Sequence, residues 1–342
     1  MAIVGYFASL AEAQKLVQSK LLAGIVQEIY EEGQLLQMLP VFTISSKSIL
    51  YDRETTPPSA AFFGIHEQIP FTASATADQK EVSLKIAAEA AILDRFMMET
   101  YKDPNDYRTL ILSQLRKGCM RTIEDKLIYG DIDNDADEFD GIGHLFETDA
   151  ADGDDWGVTS GHDSQIFDNG NLGLAVSTLR DLIDKVKPKP DILLMGRTVR
   201  NLLSAAAYEK GLATTIPGSV ITMQKNEFGS RLDYFDGTRI VISDYIADED
   251  NNTGDKASSA SAIQSVYAVR FGQIMDGGLC LCTGASTGGV EFFHMVEIPE
   301  MEDYDASAIR LTAYCALALG SSKALGRITS IDTEAVVLST PA

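Results

Sequence analysis

The strongest constraint on the fold comes from residues 45–80, a stretch that shows no helical period. Thr, Pro and Ser residues separate its two short β-prone pieces, at 49–51 and 61–65. A segment of about 36 residues without a core of its own is unusual inside a compact domain unless it has a function. The pattern therefore predicts an extended two-stranded loop that packs on something outside its own monomer.

The apolar residues of this loop indicate what it packs on. They are too few to form a core, yet too apolar to stay in water: Phe62, Phe63, Ile65, Ile69 and Phe71. Burying apolar surface stabilises by about 25 cal/mol per square ångström. We expect the loop to dock on an adjacent subunit, with Phe62, Phe63, Ile65 and Phe71 as candidate assembly contacts.

An amphipathic helix precedes the loop. Ser9 and Glu12 have the spacing of a capping box, in which each side chain satisfies a free backbone donor. Apolar residues then recur every three or four positions: Leu10, Ala13, Val17, Leu21, Ile25 and Ile29. The sequence predicts an N-terminal arm that ends near residue 45. Because one monomer cannot bury this stripe, Leu21, Ile25 and Ile29 are also candidate assembly contacts.

A long helix is predicted from about residue 104 to 129. Pro104 suits a first helical turn, and the flanking Asp103 and Asp106 lie near the positive end of the helix dipole. Gly130 ends the helix. The preceding segment, 81–101, is ambiguous, since its alanines favour a helix whereas the alternation from Val82 to Ile86 is typical of a strand.

The remainder reads as an acidic loop followed by a mixed α/β region. The acidic, Gly-rich loop covers 131–170, and helices are predicted at 172–186 and 198–208 with a strand at 191–195 between them. Further short β-like segments follow at 239–243, 266–271, 278–283 and 290–298. The last apolar element covers 308–319, and the sequence contains no internal repeat.

The formal net charge of −22 limits the partners of the chain. A surface this acidic repels phosphate, which argues against a large nucleic-acid footprint. No stretch approaches the roughly 18 apolar residues of a spanning helix, and the N-terminus lacks the features of a signal peptide. Cys119, Cys280, Cys282 and Cys315 lack zinc-site spacing and are expected as buried free thiols. We expect a soluble protein made in a reducing cytoplasm.

One motif imitates the nucleophile elbow of serine hydrolases. Residues 284–288 read Gly-Ala-Ser-Thr-Gly, with Ser286 at the position of the nucleophile. The elbow needs a strand before the serine and a helix after it. Here the residues from Val290 onward predict a second strand, so a hairpin turn is the expectation.

A second motif, at residues 131–135, imitates the start of a calcium-binding loop with alternating oxygen ligands. The sixth position is Ala136 where Gly is needed, and the twelfth is Ile142 where Glu is needed. A solvated acidic loop is expected, and calcium binding in an assembled state stays open. The four histidines have no metal-ligand spacing, so we predict no catalytic residue, no metal site and no cofactor.

The order of elements resembles the major capsid proteins of tailed bacteriophages, which have the Hong Kong 97-like fold. In that family a Gly-Asp-rich turn ending in Gly-Ile follows the spine helix, as at 130–131 and 141–142 here. Residues 191–198 look like the strand, turn and helix of the family's axial domain, and 235–244 is similar to its Gly-x-x-Val-x-x-Ser-Asp strand. Residues 309–325 look like its closing strand and turn. The resemblance covers nearly the whole chain, and the order of the motifs is more specific than any one of them.

The resemblance implies an α+β chain in five parts. These are an N-terminal arm at 1–45, an extended loop at 46–81, a peripheral domain at 82–180 with the spine helix at about 104–129, an axial domain at 181–298, and a return to the peripheral domain at 299–342. It also implies that the Ala-rich segment 81–93 is a strand.

For function, the resemblance implies a structural protein and not an enzyme. Such a protein self-assembles as pentamers and hexamers into the icosahedral head of a virion, after assembly in the host cytoplasm. The implied partners are copies of itself, a separate scaffolding protein, a portal protein and DNA enclosed without sequence-specific binding, with decoration proteins left open and no membrane. Some relatives crosslink a loop lysine, but Lys47 and Lys80 lie near the loop ends, so crosslinking is not expected.

Two alternatives remain at the level of sequence. An encapsulin-type nanocompartment shell shares the fold, although encapsulins are usually shorter and have a less extended loop. A serine hydrolase would depend on Ser286 alone.

Overall fold

A computed structural model defines the helices and strands of the chain. It describes residues 33–56, 60–68, 76–100, 107–146, 165–209, 221–225, 231–249, 256–257, 261–284, 292–302 and 304–335. The elements are, in order, α1 (Leu35–Met38), β1 (Val41–Ile44), β2 (Ser48–Thr56), β3 (Thr76–Ser83), β4 (Lys85–Asp94), α2 (Arg95–Thr100), α3 (Tyr107–Tyr129), β5 (Ile166–Leu172), α4 (Val176–Lys185), β6 (Ile192–Met195), α5 (Arg197–Glu209), β7 (Ile221–Lys225), β8 (Arg231–Phe235), β9 (Thr238–Ile242), β10 (Ile263–Val269), β11 (Leu279–Gly284), β12 (Phe293–Ile298), β13 (Ala306–Leu319) and β14 (Leu325–Asp332). Within these ranges, no helix has the length and apolar composition needed to cross a membrane.

A five-stranded sheet is built around β13. β4 pairs antiparallel with β13 along one edge, over residues 306–315. β11 and β12 share the opposite edge, where β11 pairs with 315–319 and β12 with 308–313, both antiparallel to β13. Because β11 and β12 therefore point in the same direction, the hairpin turn predicted between them is wrong. β12 lies on the same edge of β13 as β11, next to it along the strand.

The long helix α3 covers one face of this sheet. Leu115 packs with Leu93 of β4 and Ile309 of β13 in one apolar cluster. Further along the helix, Ile123 and Leu127 enter the main core of the molecule, which also contains the buried side chains of β11. The buried residues Leu115, Ile123 and Leu127 thus recur at helical spacing along one face of α3.

The Gly-Asp turn after α3 closes back on the end of the helix. The N–H groups of Ile142 and Gly143 donate to the carbonyls of Leu127 (2.8 Å) and Ile128 (2.9 Å), which have no partner inside the helix. The two backbone segments of this turn approach so closely that a Cβ on Gly130 would lie 2.2 Å from the carbonyl oxygen of Phe139. The spacing of Gly130 and Gly141 therefore follows from this close backbone contact.

A seven-stranded sheet has the order β5-β14-β10-β6-β9-β8-β7. One face is covered by α4 and α5, whose Leu179, Leu182 and Val199 pack on Leu193 and Val266 of the sheet. On the other face, residues such as Leu194 and Tyr267 belong to the main core that α3 also enters. The two sheets therefore share one core.

The boundaries drawn from the sequence do not coincide with the places where the chain changes sheet. Residues 279–298, assigned to the axial domain, supply β11 and β12 of the five-stranded sheet, whereas β14 at 325–332 lies in the seven-stranded sheet. Part of the predicted arm also belongs to the folded subunit, because Leu35 and Leu39 are buried in the main core and β1 pairs with β11. Sheet membership depends on pairing between distant segments, which local patterns do not reveal.

Most individual elements match the predictions, with three clear exceptions. The segment 85–94 is a strand, as the resemblance implied, and β2 and β3 form a two-stranded loop as predicted. The β-prone piece predicted at 61–65 is not a strand, and the partner of β2 is instead Thr76–Ser83. However, β5 lies inside the predicted acidic loop, and the helix predicted from residue 172 begins at Val176. The predicted start of α3 at 103–106 lies outside the described residues.

Candidate assembly surfaces

The hairpin of β2 and β3 is anchored to its own subunit at its base. Tyr51 and Val82 are buried in the main core. The Tyr51 hydroxyl donates to the carbonyl of Leu319 at 2.7 Å, and Arg53 Nη2 donates to the same oxygen at 2.9 Å. Burial raises the pKa of Tyr51 to about 12, so the hydroxyl remains a donor at neutral pH. The base is therefore a fixed part of the subunit.

The tip of the hairpin, residues 60–68, is exposed throughout. Phe62 is fully exposed and Ile65 is 92% exposed, while Phe63 is 39% exposed. The backbone between them has a defined turn, in which the Gly64 N–H donates to Glu67 Oε2 at 2.6 Å and the Glu67 N–H donates to the Gly64 carbonyl. The turn thus presents large apolar side chains to the surroundings of the subunit.

The remaining candidate contacts predicted from the sequence cannot be placed. Leu21, Ile25, Ile29 and Phe71 lie outside the described residues.

A second exposed apolar surface was not predicted from the sequence. The face of the five-stranded sheet opposite α3 carries Ile86 on β4, Tyr314 on β13 and Val296 on β12, and all three are exposed. Ile86 and Tyr314 are cross-strand partners, and the Tyr314 ring lies 6.4 Å from the ring of His294. We call this surface the open sheet face. Alternation along β4 is visible in the sequence, but only the packing of α3 shows which of its two faces is left uncovered.

The two reactive-looking motifs do not form sites in the described residues. Ser286 itself lies outside the described residues, and the next described element is strand β12, whereas the hydrolase elbow needs a helix after the serine. His294 lies on that strand beside Tyr314.

The carboxylates of the acidic loop bind their own backbone. Among the described residues, no group of three or more His, Cys, Asp and Glu side chains is placed to hold a metal ion. The loop carboxylates accept from backbone N–H groups, Asp131 from Asp133 (2.8 Å) and Asn134 (3.2 Å), Asp135 from Asp137 (3.0 Å) and Asp140 from Ile132 (3.0 Å). These bonds stabilise the turns of the loop.

The prediction of buried free thiols is confirmed, since all four cysteines are buried and none forms a disulfide. Burial raises the pKa of Cys315 to about 12. Cys280 and Cys282 lie in the main core on β11. Burial and the raised pKa make Cys315 an unreactive, structural thiol.

A buried polar cluster connects the end of α3 to the seven-stranded sheet, and we call it the buried joint. Arg327 Nη2 of β14 donates to Glu249 Oε2 at 2.8 Å, and both side chains are almost fully buried. The hydroxyls of Tyr129 at the end of α3 and of Tyr267 on β10 donate to Glu249 Oε1 at 3.1 and 3.2 Å. Ser265 bonds both charged partners. The joint fixes the position of α3 against the sheet.

The chain is similar to known proteins in sequence and in fold. A family model described as the phage capsid family matches residues 13–276. The SrpI encapsulin of Synechococcus elongatus PCC 7942, solved in its holo complex, superposes with a TM-score of 0.68 at 14% identity, covering 96% of this chain and 98% of that chain. No curated protein matches the chain.

Two further solved structures are also similar. The capsid of a native GTA particle gives a TM-score of 0.61 at 14% identity, over 96% of this chain and 100% of that chain. A chain of Microbacterium phage Oxtober96 gives 0.56 at 11% identity, over 94% and 98%. At such identities the likeness shows the fold alone.

Proposed function

The chain belongs to the phage capsid family, and from that premise we propose that it is the major capsid protein of a tailed bacteriophage head. The family match over residues 13–276 carries the proposal, and the Hong Kong 97-like fold agrees with it. Membership of a shell-building family implies a structural role and not an enzymatic one. More specifically, we propose that the chain assembles as pentamers and hexamers into an icosahedral shell around DNA, and that it does so in the host cytoplasm.

The exposed apolar surfaces support assembly. Phe62 and Ile65 at the hairpin tip, and Ile86 and Tyr314 on the open sheet face, are too large and too exposed to suit an isolated subunit in water. Fully burying a large apolar side chain stabilises by about 1.5–3 kcal/mol. We propose that the hairpin tip of one subunit docks on a neighbouring subunit, and the open sheet face is a surface that can receive it.

The proposed partners follow from the capsid role. They are further copies of the chain, a separate scaffolding protein, a portal protein and the enclosed DNA, with decoration proteins left open. Crosslinking through a hairpin lysine is not proposed, because Lys80 is buried at the base of the hairpin and Lys47 lies outside it.

A second candidate function is supported by the likeness to the SrpI encapsulin, which superposes over 96% of this chain. An encapsulin-type shell would enclose a protein cargo and not a genome. The exposed apolar surfaces are compatible with both kinds of shell. The two candidate functions are therefore distinguished by what the particle contains.

Electron microscopy of particles purified from the cells that produce the chain tests the proposal. We expect closed icosahedral shells, with nuclease-protected DNA in the filled ones and pentamers and hexamers in the reconstruction. Shells that hold an enzyme and no DNA would favour the encapsulin alternative. If the chain remains monomeric at high concentration in the presence of its scaffolding partner, both proposed functions are contradicted.

A further inference from the structure

A single arginine stands in the middle of the open sheet face. Arg310 of β13 is exposed, and its cross-strand neighbours are Ala90 of β4 and Val296 of β12. Because side chains alternate along a strand, Arg310 lies on the same face as Tyr314. Its guanidinium group is therefore surrounded by the apolar side chains of this face.

The acids nearest to Arg310 are engaged on the other side of the sheet. Glu297 of β12 pairs with Arg108 of α3, and Glu89 of β4 lies against Cys119 of the same helix, with 3.9 Å between Oε2 and Sγ. Among the described residues, the side chain of Arg310 makes no ion pair and no hydrogen bond. The subunit thus leaves this cation without a counter-charge.

This arrangement restricts what can cover the open sheet face. A purely apolar partner would bury the guanidinium N–H groups without acceptors, which is unfavourable. A polar partner would leave the apolar groups around Arg310 unsatisfied. The partner that fits is an apolar surface that carries a carboxylate.

The hairpin tip has this composition. Residues 60–68 contain one carboxylate, Glu67, together with Phe62, Phe63 and Ile65. Glu67 Oε2 accepts from the Gly64 N–H at 2.6 Å, and Oε1 has no partner among the described residues. The turn therefore presents a carboxylate oxygen next to exposed apolar side chains.

The tip that covers the face belongs to a second copy of the chain. Within one subunit the tip does not cover the face, because Phe62 is fully exposed and Ile65 is 92% exposed. The base of the hairpin is held to its own sheet through Tyr51 and Leu319. A neighbouring subunit can supply the same tip from outside.

We propose that Arg310 on the open sheet face forms an ion pair with Glu67 at the hairpin tip of a neighbouring subunit. This inference rests on the proposed function and adds the pair of charges that sets the position of the tip. Apolar burial is non-directional, whereas a charge-assisted hydrogen bond has a defined geometry. Apolar side chains surround the docked pair, so salt screens it less than a pair on an open surface.

The test reverses each charge alone and then both together in full-length subunits. R310E and E67R should each raise the critical concentration for assembly by about tenfold or more, because like charges then meet in the contact. R310E/E67R restores opposite charges and should recover most of that loss. The controls K323E and E81R make the same changes in net charge at exposed positions outside the contact, so they should assemble like the wild type. Light scattering measures assembly, and unchanged urea midpoints show that each subunit is folded.

The variant R310K gives an independent readout, because it keeps the charge and introduces an amine. In shells of this variant, a water-soluble carbodiimide should join that amine to the Glu67 carboxylate through an amide bond. Shells assembled from a mixture of ¹⁵N-labelled and unlabelled subunits show by mass spectrometry whether the link joins two subunits.

Three results would overturn the inference: single reversals that assemble like their controls, a double reversal no better than either single one, or a crosslink from position 310 to any group other than Glu67 of another subunit. If wild-type shells form in those cases, the capsid function stands and only this contact fails. Wild-type subunits that form no shell would overturn the proposed function and this inference with it.

Discussion

Arg327 and Glu249 form an ion pair from which water is almost excluded, with side-chain exposures of 2% and 3%. Removing two charges from water is unfavourable, and their attraction offsets this only when further hydrogen bonds satisfy the remaining atoms. Here Ser265, Tyr129 and Tyr267 supply those bonds. A buried ion pair does not by itself indicate a more stable fold. It does fix the position of α3 relative to the seven-stranded sheet.

The first prediction concerns this pair. Arg327→Met should lower the free energy of unfolding by roughly 3–5 kcal/mol, because it leaves the Glu249 carboxylate buried without a counter-charge. R327M/E249Q should recover part of that loss, since Gln is neutral and its Oε1 can still accept from the two tyrosines. Urea unfolding followed by circular dichroism measures both values. A double variant no more stable than R327M would show that the buried charge is not the cause.

Glu124 gives a prediction about pH. Its carboxylate is buried beside α1, and burial raises its pKa from 4.5 to about 6 despite the hydrogen bond from the Leu36 N–H. The unfolded chain therefore loses this proton at lower pH than the folded chain does. The stability linked to this group is fully present below pH 4.5 and is lost as the pH rises to about 6.

Glu124→Gln should remove this dependence. The amide oxygen can still accept from Leu36, and no charge forms in the core. At pH 7 the variant should be more stable than the wild type by up to about 2 kcal/mol, with the difference vanishing near pH 4.5. Urea midpoints measured across this range check it, and parallel curves for the two proteins would contradict it.

At the scale of elements, the sequence predicts what depends on local patterns. The helix α3, the short apolar strand β6 and a two-stranded loop that begins at β2 were predictable in this way, from a helix start and a terminal Gly, from an apolar run, and from the lack of a helical period. The turn at Gly130 was also predictable, since only Gly permits the close approach found there. These features need no knowledge of distant partners.

Features that depend on distant partners could not be predicted. β5 lies in an acidic, Gly-rich segment, and it forms because β14, more than 150 residues later, offers a parallel edge. The members of the buried joint are likewise separated by up to 198 positions, from Tyr129 to Arg327. The open sheet face escaped prediction for a related reason, because α3 and not the strand pattern decides which face is covered.

The hairpin gives the prediction at this scale. Phe62→Ser/Phe63→Ser should weaken assembly strongly and change the unfolding of the free subunit by less than about 0.5 kcal/mol, because Phe62 is fully exposed and Phe63 partly so. Gln68→Ser, at another exposed position of the tip, is the control. Light scattering follows assembly, and hydrogen exchange compares the tip in subunits and shells. Equal protection of residues 60–68 in both states would mean that the tip does not dock on a neighbour, whereas the base around Tyr51 should be protected in both.

At the scale of the whole molecule, a charge of −22 on every subunit opposes assembly, so apolar contacts must outweigh the repulsion. Two groups of exposed apolar side chains, at the hairpin tip and on the open sheet face, lie on separate parts of the subunit. Contacts between two different patches join subunits into a ring when the rotation from one subunit to the next completes a full turn.

Salt screens the charge repulsion between subunits without weakening their apolar contacts, so added salt should promote assembly.

The apolar stripe of the N-terminal segment gives the last prediction, and the structure determines where a truncation can begin. Leu35 and Leu39 belong to the main core, so removal of residues up to 39 would damage the subunit itself. Deleting residues 1–32 leaves both in place and removes Leu21, Ile25 and Ile29. The truncated subunit should unfold cooperatively and near the wild-type midpoint, yet it should fail to form closed shells, because the stripe is then no longer available to neighbouring subunits. A matched full-length variant, Leu21→Ser/Ile25→Ser/Ile29→Ser, should show the same loss if the stripe is responsible. Electron microscopy and analytical ultracentrifugation measure the products, and normal shells from either protein would show that assembly does not depend on the arm.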